Sequence, residues 1–64
     1  MDDEILRVLR EKLQDDISSR ERVLCAGGCS TFDGYKELVG VIRGLTLALQ
    51  HVQDLANAME ETYD

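Results

Sequence analysis

Tyr35, Leu38, Ile42, Leu45, Leu49, Val52, Ala56, Met59 and Tyr63 recur at alternating steps of three and four. That line is unbroken across four heptads, the spacing of a coiled-coil a/d seam. Val41, Ala48 and Leu55 widen it on one flank. The chain has no proline, so nothing interrupts the backbone ladder of a long helix. The spacing predicts a helix over 31–61 whose apolar side forms the core of a bundle.

A second, less regular stripe lies upstream. Leu6, Leu9, Leu13, Ile17 and Leu24 follow helical spacing and predict a helix over 3–24. Asp2, Asp3 and Glu4 fall in or before its first turn, where the positive end of the helix dipole favours carboxylates. The apolar stripe thins between Ser18 and Arg22. Residues 25–30 read Cys-Ala-Gly-Gly-Cys-Ser. A glycine just past a helix end supplies the left-handed residue that stops it, and Ser30 or Thr31 is placed to cap the next helix. So short a connection makes the helices antiparallel neighbours. The expected fold is all-α: one domain over residues 1–64, an antiparallel two-helix hairpin with a longer second helix. At 1.5 Å per residue the helices span ~33 and ~45 Å, so the turns from Leu55 onward overhang the first helix or meet only its start. Each apolar stripe also keeps one uncovered side, which oligomerisation or docking on a larger protein would complete.

Sixty-four residues bury only ~60% of the unfolded surface, and such a domain is marginal alone. Small scaffolds are usually held by disulfides, a metal or another chain. Two cysteines are too few for a disulfide framework. Cys25 and Cys29 offer two soft ligands where a structural zinc site takes four, and His51 lies about twenty residues up the second helix. Neither a metal nor a cofactor is expected. The two thiols read as small apolar side chains at the hairpin end, and a disulfide between Cys25 and Cys29, or between chains, is compatible with the flexible turn. His51 falls on the outer face. Asp15-Asp16 and Glu60-Glu61 are adjacent pairs pointing in different directions on a helix. Gly27-Gly28 lacks the lysine and preceding strand of a phosphate loop. No catalytic constellation emerges, and the chain is not expected to be an enzyme. A formal net charge of −6 disfavours nucleic acid and anionic membrane surfaces. No apolar run reaches ~18 residues, and the acidic start is unlike a signal peptide. These features lead us to expect a soluble protein made in a cytoplasm.

Gly40 and Gly44 form a Gly-x-x-x-Gly pair inside the second helix, each costing ~1 kcal/mol against alanine. With Leu47 and His51 they lie on the side away from the seam. They are either tolerated surface glycines or a second contact face, Gly40, Gly44 and Leu47, where a neighbour's backbone comes close.

The segment Asp33–Leu45, DGYKELVGVIRGL, resembles small helical-hairpin proteins of tailed bacteriophages encoded among head and neck assembly genes. The resemblance rests on Tyr35, Leu38, Val39, Gly40, Ile42, Gly44 and Leu45. It covers the turn and second helix better than the first, and the Cys-x-x-x-Cys turn departs from the pattern. It implies a non-enzymatic structural or assembly protein, a virion component of the head, neck or portal. Such a protein resides in the host cytoplasm during assembly. Its partners would be itself and/or a larger phage structural protein. Two alternatives are a small acidic adaptor that modulates a host or phage enzyme and, against the charge, a hairpin dimer of the four-helix RNA-binding type.

Overall fold

The computed structural model describes residues 2–62, with side chains from 4 to 59. It consists of two α-helices, α1 (Asp2–Cys25) and α2 (Phe32–Thr62), of 24 and 31 residues. They pack against each other as an antiparallel hairpin with the longer helix second. The molecule is a rod of 50 × 15 × 12 Å. Tyr63, the last residue of the expected seam, lies outside the described residues.

The reversal is built from backbone hydrogen bonds that satisfy the last carbonyls of α1. The Ala26 N–H donates to Arg22 O (2.9 Å), Gly27 N–H to Leu24 O (3.2 Å) and Gly28 N–H to Val23 O (2.9 Å). The last two, spanning three and five residues, make a Schellman cap with Gly27 as its left-handed residue; its φ is +73°. Gly28 is required for a different reason. A Cβ there would sit 2.7 Å from Val23 Cγ1 and 3.0 Å from Val23 O, closer than real Cβ atoms pack. Thr31 rather than Ser30 caps α2. Its hydroxyl accepts the Gly34 N–H at 3.0 Å, and its carbonyl accepts the Tyr35 N–H at 3.0 Å, so Thr31 satisfies one of the free amides of the first turn. Asp33 adds a carboxylate where the helix dipole favours it.

Along α2, Leu38, Ile42, Leu45, Leu49, Val52, Ala56 and Met59 are all half-buried. Tyr35, on the same heptad line, is instead 46% exposed and stacks on Phe32 with ring centroids 6.3 Å apart.

On α1 the half-buried line reads Leu6, Arg10, Leu13, Ile17, Arg20, Leu24. Leu9, expected on the apolar stripe, is displaced to the flank and 42% exposed. Its place on the line goes to Arg10, because steps of four and three from Leu6 reach 10 and 13. Arg20 stands on the same line with its guanidinium turned to the edge, where Nε donates to Asp16 Oδ1 at 2.9 Å. Long arginine stems cover apolar surface while the charged head reaches water, which is how a two-helix seam tolerates them.

No side chain among the described residues is fully buried. The accessible surface is 5058 Å², whereas a compact monomer of 7.2 kDa would expose about 4,100 Å². The radius of gyration, 14.9 Å, exceeds the roughly 11 Å of a compact 64-residue domain. Among the described residues the hairpin has a seam but no interior.

Candidate interaction surfaces

With 100° between successive residues, the side chains beside the α1 seam divide into two unlike flanks. One carries Ile5, Leu9, Lys12, Asp16, Ser19 and Val23, a second line at steps of four and three. The other carries Arg7, Gln14, Ser18 and Glu21. On α2 the same offsets from the seam give Val41, Ala48 and Leu55, with Gly44 and His51 farther round, on one side, and Val39, Arg43, Thr46 and Gln53 on the other. In an antiparallel pair of right-handed helices the two apolar flanks fall on the same side of the hairpin. The structure shows this directly at the open end. Ile5 and Leu6 of α1 and Leu55 and Met59 of α2 line one shallow groove of about 250 Å³. The turns of α2 from Leu55 to Met59 therefore meet the start of α1.

This side of the rod holds Ile5 (62% exposed), Leu9, Val23, Val41 and Leu55 (53% exposed). The other exposed large apolar residues, Val8, Leu47, Phe32 and Tyr35, are spread over the backs of the helices and the tip. The heptad arithmetic of α2 already marked Val41, Ala48 and Leu55 as a flank. The α1 half was missed because Lys12 and Asp16 interrupt it, although its four–three spacing was readable.

Gly40 and Leu47 lie on the back of α2, opposite the seam, and Gly44 lies between that back and the Val41–Ala48–Leu55 flank. Gly40 and Gly44 are exposed, and a Cβ on either would meet nothing within 4 Å. Leu47 is 62% exposed and borders a groove of about 350 Å³ with Ile42, Arg43 and Thr46. The Thr46 hydroxyl spends its proton within the helix, donating to Ile42 O at 2.8 Å. His51 is exposed on the same line as Gly44.

The turn end is polar in backbone and aromatic in side chains. Phe32 is 71% exposed, with Lys36 Nζ 5.4 Å from its ring centroid. Cys25 is exposed and Cys29 half-buried, and both are free thiols; no disulfide joins them. Among the described residues no group of three or more His, Cys, Asp or Glu side chains is arranged to hold a metal ion. No described helix is long and apolar enough to cross a membrane. The ion pairs, Arg7 with Glu4 (3.9 Å) and Glu11 (3.2 Å) and Arg20 with Asp16, connect neighbouring turns of α1. They rigidify one helix and gather no reactive group. What this surface offers chemically is apolar area on a rigid rod.

No protein-family model, no curated protein and no solved structure matches the chain.

Proposed function

We propose that the protein is a non-enzymatic helical packing module, a small structural or assembly component of a tailed-phage particle at the head, neck or portal. The observation that carries the packing role is the absence of any fully buried side chain among the described residues. A chain whose apolar surface is organised in heptads yet left half-exposed is stable only when another surface covers it. The phage assignment draws on the likeness of Tyr35, Leu38, Val39, Gly40, Ile42, Gly44 and Leu45 to the second helix of small phage head and neck proteins. The net charge of −6 suits a place against a basic region of another protein rather than against packaged DNA.

The test is quantitative mass spectrometry of purified particles. A structural component is present at a copy number that matches a ring or shell symmetry. Absence from particles, together with stoichiometric capture of one enzyme from infected cells, would replace this reading with that of a small acidic regulator.

A further inference from the structure

The apolar side of the rod has a symmetry that names its occupant. On α1 the flank line is Ile5, Leu9, Lys12, Asp16, Ser19, Val23. Its positions are symmetric about residue 14: Ile5 and Val23 match in kind, Lys12 is answered by the oppositely charged Asp16, and Leu9 is answered by the small polar Ser19. On α2 the flank line Val41, Ala48, Leu55 mirrors about Ala48. Leu55 lies level with the start of α1, as their shared groove shows, and this places Ala48 level with the middle of α1. Both helices therefore share one mirror level, half-way along the hairpin.

We propose that the apolar side of the hairpin is a homodimer interface, on which a second copy lies antiparallel to make a four-helix bundle. The two-fold axis passes at the level of Gln14 and Ala48. In that arrangement α1 lies on α1 of the second copy and α2 on α2. Ile5 meets Val23, Val41 meets Leu55, and the small Ala48 meets its own copy at the axis, where the helices approach closely.

Two observations support a second copy, the first bearing on its size and the second on its identity. The first is area. The rod as a whole exposes about 900 Å² more than a compact monomer of its mass, which is enough surface to supply the roughly 800 Å² per partner that a stable interface buries. The second is charge. Antiparallel pairing sets Lys12 of each copy against Asp16 of the other, twice by symmetry. Asp16 already accepts from Arg20 at 2.9 Å, and Lys12 forms no ion pair with a described residue of its own chain, so the intermolecular pair extends an existing one. Hairpins lying parallel would set Lys12 against the uncharged middle of the α2 flank, around Ala48, with no carboxylate to meet it, and would leave Asp16 with Arg20 alone.

This inference names the partner of the packing module proposed above and rests on that role alone. Absence from particles would remove the virion assignment and leave the dimer standing.

The experiment uses the full chain. Sedimentation should show a dimer that dissociates on dilution. Leu55→Asp should raise its dissociation constant about tenfold or more, while Leu47→Asp on the outer back of α2 leaves it within about threefold. In a Cys25→Ser/Cys29→Ser background, Ala48→Cys should oxidise to a disulfide-linked dimer, because only residues near a two-fold axis meet their own copies. Leu47→Cys should stay monomeric on a non-reducing gel. A monomer at every concentration would overturn the proposal. So would a dimer indifferent to Leu55→Asp, or one trapped by Leu47→Cys and not by Ala48→Cys.

Discussion

Glycine does opposite things at two places in this chain, and space tells them apart. At the turn, Gly27 supplies a φ of +73°, and an L-residue pays roughly 1–2 kcal/mol to sit there. Gly28 has no room for a Cβ beside Val23. Gly28→Ala should therefore destabilise the fold by about 1–3 kcal/mol, the usual range for overpacking, read as a lower midpoint in denaturant. Gly40 and Gly44 have open space in front of them. Alanine at both should raise helicity and stability, by up to about 1 kcal/mol each from propensity alone, measured by circular dichroism and urea unfolding. The same double variant tests the back of α2. Poorer incorporation into particles despite higher stability would mark Gly40, Gly44 and Leu47 as a second contact face, and unchanged incorporation would make them ordinary surface. Thr31→Ala, which strips the hydroxyl from the Gly34 N–H, should cost about 1 kcal/mol. Cys25→Ser/Cys29→Ser should keep full helicity under reducing conditions, because the cap at Gly27 and the hydroxyl of Thr31 specify the turn without the thiols. Collapse of the helical signal would show that the sulfurs hold it.

The two helices are unequal partners. α2 presents a continuous apolar seam from Leu38 to Met59, whereas α1 offers Arg10 and Arg20 at two of its six seam positions. The Arg20–Asp16 pair is exposed on both sides, with relative accessibilities of 41% and 45%, so it contributes only about 0.3–0.5 kcal/mol. A leucine at the same level would bury more apolar area against α2, worth on the order of 1 kcal/mol. Arg20→Leu should then stabilise the hairpin, seen as a higher unfolding midpoint at fixed protein concentration. A drop in stability would mean that the ion pair matters more than its exposure allows. Thinning of the stripe near Ser18 to Arg22 was legible in the sequence. Which residue took the seam was not. Leu9 and Arg10 both lie within reach of a helical stripe, and the direction of α2 picks the arginine.

As a whole the molecule is a rod with more surface than its mass warrants, and its stability should depend on how much of it is present. Folding linked to dimerisation gains RT ln of the concentration ratio, about 2.7 kcal/mol for a hundredfold increase. Against the unfolding entropy of two 64-residue chains, that shifts the melting temperature by roughly 10 °C. Scanning calorimetry across that range checks it. A melting temperature independent of concentration would mean that the hairpin is stable by itself and that its exposed flank serves another purpose.

The one-dimensional pattern was sufficient for the two helices, their antiparallel order, the longer second helix and the glycine turn. Those features follow from local rules: a 3.6-residue period, left-handed glycine at a helix end, and a connection too short for anything but reversal. The choice of Thr31 over Ser30 as cap, the exposure of Tyr35 and the placing of Leu9 outside the seam needed the tertiary structure. Each depends on where the opposite helix lies in rotation and in register. Periodicity along one helix reports that a face is apolar, not how that face is turned toward its neighbour. The same limit hid the apolar flank of α1. Its charged centre, Lys12 and Asp16, makes it look like solvent-facing surface until the hairpin brings it to the same side as Val41, Ala48 and Leu55.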